Sequence, residues 1–176
     1  GVPGGFAELG VWRGGTCIFA AKAFGMLTPA TAQPRQIHVF DAFEKLPGYR
    51  SASEFVANSV ESVRQNFARF GCLTEHVHFE VGLFQQTTKA WRARHNLTTT
   101  SIAILRVDGN FYDSYSDAMY HLYDYVPVGG FVIFDDIMSQ RAVMKFWLDF
   151  KHDQKLPETL TQIDMPLHFL VTTQLL

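Results

Sequence analysis

The sequence predicts an α/β domain: a mostly parallel sheet with helices on both faces. Three observations lead there. Strand-like apolar segments alternate with segments of helical apolar spacing along the 176 residues, an order that builds βαβ units with right-handed crossovers. The opening stretch "GFAELG" runs directly into "VWRGGT", and a strand, a glycine-rich turn and a helix seat nucleoside-bearing cofactors in such folds. Finally, Glu8, Asp41, Asp108, Asp135 and Asp136 each stand at the C-terminal end of a predicted strand, the rim on which open α/β sheets bind ligands.

The elements follow in order. "GFAELG" is a short strand, and "TCIFAAKAFGML" is a helix that stops before Pro29, because proline disfavours helical backbone in the residue preceding it. "QIHVFDAF" is the second strand and ends near Asp41. "SEFVANSVESVRQNFARFG" is the longest amphipathic helix, with Ser53 placed to cap it and Gly71 to close it. "VHFEVG" is the third strand and "TTKAWRARHN" a short helix. "SIAILRVDG" carries a continuous apolar run, which suits a central strand buried on both faces. "SYSDAMYHLYDYV" is helical, with Ser114 or Ser116 near its start. "GGFVIFDD" is the fifth strand and "SQRAVMKFWLDFKHD" the fifth helix. "LTQID" and "HFLVTT" are two last strands. Their connection is too short for a crossover, so the pair contributes an antiparallel strand.

Composition narrows the class. The chain is 47% hydrophobic and 18% charged, with sixteen Phe to fill a core, and its length suits a single domain over residues 1–176. A net charge of −2 gives no basic footprint for nucleic acid, and no apolar run is long enough for a membrane span. Cys17 and Cys72 lack metal-ligand spacing and read as small buried residues of a reducing, cytoplasmic compartment. Asn96-Leu97-Thr98 matches a glycosylation acceptor, a pattern common by chance. The first strand starts within a few residues of Gly1, so the expectation is a fragment or processed form lacking an N-terminal segment, whose targeting is not observable.

The acids are the chemical signal. Five carboxylates on one rim repel one another unless a cation or a hydroxyl-rich ligand joins them. Asp41, at the end of the second strand, is placed to accept hydrogen bonds from both ribose hydroxyls of a nucleoside cofactor. Asp108, Asp135 and Asp136 form an all-oxygen set for a hard divalent cation such as Mg²⁺. The bland alternatives are helix caps, with Asp136 capping the fifth helix, and simple turns at the glycine pairs. The seven His are scattered and read as structural or surface residues, and the tyrosines around 112–125 read as packing.

"ELGVWRGG", "FDAFEKLPG", "LRVDGNFYDSYSDAMYHLY" and "GGFVIFDD", in this order, resemble the macrocin O-methyltransferase family of S-adenosylmethionine-dependent enzymes, which methylate sugar hydroxyls. The resemblance implies a Rossmann-like methyltransferase fold with a mostly parallel seven-stranded sheet and an antiparallel C-terminal strand. It implies S-adenosylmethionine and Mg²⁺ as cofactors and a small-molecule hydroxyl acceptor as partner, and it is compatible with a homo-oligomer. Glu8 and Gly10, with the turn residues Val11, Trp12, Arg13 and Gly14, would lie by the methionine part of the cofactor. Trp12 and Arg13 would support the site without performing chemistry. Asp41 would hold the ribose. Ala42, Phe43, Gly82, Leu83 and Phe84 would border the adenine. Asp108, Asp135 and Asp136 would hold the metal, with Asp108 the catalytic ligand. Ala42, Lys45, Asn110, Val128 and Ile137 depart from the family pattern.

The activity expected is O-methylation of a sugar or other small-molecule hydroxyl. A non-catalytic methyltransferase-fold scaffold is the alternative, supported by Asn110, which lowers the charge of the metal region. A dinucleotide oxidoreductase fits less well, because Gly10, Gly14 and Gly15 have the wrong spacing for G-x-G-x-x-G.

Overall fold

The computed structural model describes residues 1–29, 31–44, 58–157, 159–163 and 169–172. The elements are β1 (Gly5–Leu9), α1 (Gly15–Leu27), β2 (Ile37–Asp41), α2 (Val60–Arg69), β3 (Val77–Val81), α3 (Phe84–Arg94), β4 (Ile102–Val107), α4 (Tyr112–Leu122), a 3-10 turn (Tyr123–Tyr125), β5 (Phe131–Phe134), α5 (Arg141–Asp153), β6 (Thr161–Gln162) and β7 (Phe169–Thr172). They form one sheet in the order β3-β2-β1-β4-β5-β7-β6. β1 to β5 run parallel, β7 runs antiparallel to β5, and the two-residue β6 pairs antiparallel with β7.

This order fixes where a ligand can sit. The chain winds outward from β1 to β3, then returns to β4 on the other side of β1. The switch point therefore lies between β1 and β4, where a crevice opens at the carboxyl ends. Register brings those ends level: Leu9 pairs with both Phe40 and Val107, and Val107 pairs with Phe134. Gly10, Asp41, Asp108 and Asp135 each follow one of these four residues.

Two apolar layers hold the sheet. On one face Trp91, Tyr115, Met119, Phe146 and Phe150 of α3, α4 and α5 pack on Leu105 and Phe134. On the other, Ile18 of α1 and Val63 and Phe67 of α2 pack on Phe6 and Val39. Each large side chain fully buried this way contributes roughly 1.5–3 kcal/mol. β4 sits in the middle of the sheet, as its apolar run requires. α1 turns Cys17, Ile18 and Ala20 inward and leaves Phe19, Met26 and Leu27 exposed. Thr28 is extended, as expected before Pro29.

Helix starts differ most from the sequence expectation. Ser59 caps α2, its side-chain oxygen accepting from the Ser62 N–H at 3.2 Å; Ser53 lies outside the described residues. Gly71 follows that helix with φ 62°. α3 starts at Phe84, three residues before Thr87. α4 starts at Tyr112 with Phe111 at its N-cap, so Ser114 and Ser116 lie inside the helix and do not cap it. Gln140 precedes α5, and Asp136 belongs to the turn before it. Among the described residues no helix is long and apolar enough to cross a membrane.

One buried polar side chain gives the fold a pH limit. His38 on β2 is 6% exposed, and its Nδ1 accepts the indole N–H of Trp91 at 3.1 Å. Burial, then the neighbouring His78, His95 and Arg94, push its pKa from the ordinary 6.5 to about 3. The folded state keeps the ring neutral while the unfolded chain protonates it. The stabilisation is complete above 6.5 and is lost as pH falls toward 3, amounting to roughly 2 kcal/mol by pH 5. Urea titrations at pH 7.5 and pH 5 are expected to show this loss, and His38→Asn is expected to remove about that part of it. An equal loss in the variant would place the acid sensitivity elsewhere.

Candidate active site

Each strand of the parallel sheet ends in a turn with a left-handed residue: Trp12 (φ 49°) after β1, Phe43 (φ 53°) after β2, Gly82 (φ 134°) after β3, Asn110 (φ 59°) after β4 and Asp136 (φ 55°) after β5. A left-handed non-glycine residue is disfavoured by about 1 kcal/mol or more, and such strain gathers at functional sites. Asn and Asp tolerate this backbone better than most residues, which gives Asn110 a conformational role. Gly10 is needed for close approach: with φ 87°, an added Cβ would lie 2.0 Å from the Asp108 carbonyl oxygen.

The turns after β1, β2, β3 and β4 surround a cleft of about 1010 Å³. Gly10 and Trp12 form one end, and Asp41, Ala42 and Glu44 come from the β2 turn. Gly82, Leu83, Phe84 and Gln85 come from the β3 turn and the start of α3, and Asp108, Gly109 and Asn110 from the β4 turn. Asp113, Ser114, Ser116 and Asp117 add a polar face of α4. From the sequence, Ser114 and Ser116 are candidates only for the helix start, and Asp113, Asp117 and Gln85 are not singled out. The helical spacing of 113, 116 and 117 is the signal that would have found them.

Asp41 does more than face the cleft. Its Oδ2 accepts from the Val11 N–H at 2.9 Å and the Trp12 N–H at 3.4 Å, while Oδ1 accepts from the Phe43 N–H at 2.9 Å. It therefore ties the β1 turn to the end of β2. Val11 contributes backbone here and buries its side chain in the core. Phe43 packs against Phe79, with ring centroids 6.2 Å apart, and does not line the cleft. Arg13 also stands outside the lining: its guanidinium lies 4.6 Å over the Trp12 ring, and its carbonyl accepts from Asn66.

Glu8 corrects the expectation of five acids on one rim. It is 1% exposed, beneath the turn, in an ion pair with Arg106 and accepting from the Cys17 thiol at 2.8 Å. Burial raises its pKa against the lowering effect of Arg106 and the Cys17 bond. Arg106 was not singled out from the sequence, yet it is the hub. Its guanidinium bonds to Glu8 and Asp135 and lies 3.1 Å from Asp108. Burial pulls its pKa down, but Glu8, Asp108 and Asp135 together hold it above the ordinary value.

The remaining acids converge. Oxygens of Asp108, Asp135 and Asp136 all lie within 4.8 Å of one another. Asp135 is buried, while Asp108 and Asp136 are half-buried. The Asp136 N–H bonds to Asp135 Oδ1, and Asp136 Oδ1 accepts from the Ser139 hydroxyl. Asp136 caps no helix. The buried Tyr115 hydroxyl spans the backbone carbonyls of Val107 and Asp135, holding the ends of β4 and β5 together. Burial raises the Asp108 pKa, Arg106 opposes this, and Asp135 and Asp136 reinforce it.

The family model described as Macrocin-O-methyltransferase (TylF) matches residues 1–170. The chain belongs to the macrocin O-methyltransferase family. It is 36% identical over 150 residues to demethyldecarbamoylnovobiocin O-methyltransferase of Streptomyces niveus, a match covering 78% of this chain and 54% of that one. It is 34% identical over 152 residues to mycinamicin III 3''-O-methyltransferase of Micromonospora griseorubida, covering 77% and 56%. This member of the family thus spans about half the length of the curated relatives it matches. The solved O-methyltransferase NovP superposes with a TM-score of 0.80 at 30% identity, covering 99% of this chain and 73% of that one. The calicheamicin methyltransferase CalS11 shares the fold, with a TM-score of 0.76 at 18% identity, covering 97% and 72%. The architecture is the Rossmann-like methyltransferase fold.

Proposed function

We propose that this chain forms the cofactor-binding and catalytic part of an S-adenosylmethionine-dependent O-methyltransferase acting on a sugar or other small-molecule hydroxyl, with Mg²⁺ held by Asp108, Asp135 and Asp136. The observation carrying this reading is the convergence of those three acids beside a cleft that Asp41 and Gly10 shape for a nucleoside. Three carboxylates, Glu8, Asp108 and Asp135, meet the single guanidinium of Arg106, and Asp136 joins the last two. The excess negative charge and the all-oxygen donor set fit a hard cation. Oxygens at most 4.8 Å apart need only a small side-chain adjustment to reach the span of about 4.2 Å across one Mg²⁺.

When bound, S-adenosylmethionine supplies a methyl group on a sulfonium carbon, and Mg²⁺ supplies Lewis acidity that lowers the pKa of a hydroxyl. The chain's own residues do the rest. Asp41 receives one ribose hydroxyl on the Oδ1 lone pair that the Phe43 bond leaves free, and the other on Oδ2 in place of the long Trp12 contact at 3.4 Å. Ala42, Gly82, Leu83 and Phe84 present the adenine wall. Glu8 acts from below: it holds Arg106, and Arg106 fixes the acids above it. Asp108 alone of the three acids lines the cleft, so it faces cofactor and acceptor and is the catalytic ligand. Burial and the neighbouring Asp135 and Asp136 raise its pKa, a cost that a cation held by the three acids would remove.

Calorimetry with S-adenosylmethionine tests the cofactor half. Asp41→Ala removes two charge-assisted bonds to the ribose, and loss of affinity is expected on the order of 2–3 kcal/mol, or roughly 30- to 150-fold. Asp41→Asn, which still accepts from the Val11 N–H, is expected to fall between. Unchanged affinity in the alanine variant would remove Asp41 from the cofactor site.

A further inference from the structure

α1 is apolar all round. Its 13 residues, "GTCIFAAKAFGML", carry one charge, Lys22. A helix of that composition is normally buried on every side. Here only part of it is covered. Cys17, Ile18 and Ala20 turn inward, while Phe19 is 75% exposed, Met26 84% and Leu27 80%. Phe19, Ala23 and Leu27 are spaced four residues apart, and Met26 stands three beyond Ala23. At helical spacing the four form one outward stripe.

The end of α2 widens this stripe. A Cβ on Gly71 would come 3.9 Å from Lys22 Nζ, so the residues around that glycine lie beside the outer face of α1. Two of them, Phe70 and Leu73, are exposed apolar side chains. Together the five large side chains present on the order of 600 Å² of apolar surface, the upper end of what a typical monomer leaves uncovered in one patch. A stable interface of standard size takes roughly 800 Å² from each partner, which this patch and a polar rim supply.

Charge and spacing select the occupant. A helix that lies on a membrane surface carries several Lys and Arg on its polar face, and α1 has Lys22 alone. The spacing is symmetric instead: Phe19 and Leu27 stand at equal distances on either side of Ala23. We propose that this face is the interface of a two-fold dimer, in which α1 packs antiparallel on α1 of a second copy about an axis at Ala23. Phe19 then lies against the partner's Leu27, and Leu27 against the partner's Phe19, the self-complementary contact that a two-fold axis requires. Ala23, the smallest member of the stripe, lets the two helices approach at the centre. Rows of residues four apart are the ridges by which helices most often interlock. The methyl-transfer cleft stays open, because α1 starts at Gly15 beside the cleft turn and runs back toward the other ends of the strands. The dimer is therefore independent of the methyl-transfer reading.

Sedimentation velocity of the full chain from about 1 to about 200 µM tests this. The parent is expected to pass from monomer to dimer within that range, since interfaces of this size give micromolar or tighter affinity, and its melting temperature is expected to rise with concentration. Phe19→Glu removes no core contact and places an unpaired charge in the interface. It is expected to weaken association about a hundredfold or more, to melt independently of concentration, and to keep the S-adenosylmethionine affinity of the parent. Phe19→Lys and Leu27→Glu read the pairing itself. Each alone is expected to sediment as a monomer, and an equal mixture to recover dimers, because the mixed pair sets Lys against Glu on one side of the axis and keeps the Phe19–Leu27 contact on the other. A parent that stays monomeric to 200 µM would overturn the proposal and leave the face to another occupant. So would a Phe19→Glu variant that associates like the parent. A mixture no more associated than its two components would overturn the pairing about Ala23.

Discussion

Asp136→Asn is expected to abolish Mg²⁺ binding and methyl transfer while leaving cofactor affinity within about twofold of the parent. The substitution is chosen for its silence elsewhere. Asn tolerates the φ of 55° that residue 136 adopts, and its amide oxygen still accepts from the Ser139 hydroxyl. Only the charge goes. Asp135→Asn is the harsher partner, because Asp135 also holds Arg106 and the Asp136 N–H. If the cation activates the acceptor hydroxyl, losing it removes several kcal/mol of transition-state stabilisation. Turnover would fall by roughly a thousandfold or more. EDTA is expected to reproduce the loss and Mg²⁺ to reverse it in the parent alone. The binding half needs no acceptor: at a hundred times its Kd, Mg²⁺ stabilises the fold by about 2.7 kcal/mol. Thermal melts with and without the ion read this directly. A parent protein that turns over fully in chelator, or an Asp136→Asn variant that melts like the parent with Mg²⁺, would reduce these acids to turn residues.

The rim was legible because one rule of α/β topology acts on any residue just past a parallel strand. Asp41, Asp108, Asp135 and Asp136 obey it, and register alone brings them level. Glu8 failed the same rule by one residue. It lies within β1 and precedes its last residue, Leu9, so its side chain goes beneath the turn. Its partner could have been inferred. A lone arginine inside the apolar run "AILRV" must meet a carboxylate in a sheet buried on both faces. Aligning the ends of β1 and β4 sets Arg106 opposite Glu8, which are register partners. The cap at Ser59 was obscured by an equally plausible serine at 53. The left-handed backbone of Trp12 and Phe43 left no trace, because neither residue type favours it and only the surrounding turns impose it.

Arg106→Leu is expected to be the most destabilising single change in the protein. Leucine fills much of the volume, so the loss is electrostatic. Glu8, 1% exposed, would keep only the Cys17 thiol and local hydroxyl contacts, and Asp108 and Asp135 would face each other with no guanidinium between them. Breaking a buried ion pair from one side is worth about 3–5 kcal/mol, a large part of the 5–15 kcal/mol that typically holds a domain folded. Arg106→Lys should recover only part, since one ammonium cannot replace a planar fork reaching three carboxylates. Two further readings separate charge from packing. Replacing both members, Glu8→Met with Arg106→Leu, should be milder than Arg106→Leu alone, because the stranded charge is gone. The deficit should also depend on pH. Burial already raises the Glu8 pKa above 4.5, and losing Arg106 raises it further. A carboxyl raised in the folded state contributes stability at low pH that is lost as pH rises through the folded value. The Arg106→Leu deficit in urea is therefore expected to be small near pH 4.5 and to grow toward pH 8. A deficit flat across that range, or a double variant no better than the single, would show that Arg106 stabilises the fold through packing and not through the acids it joins.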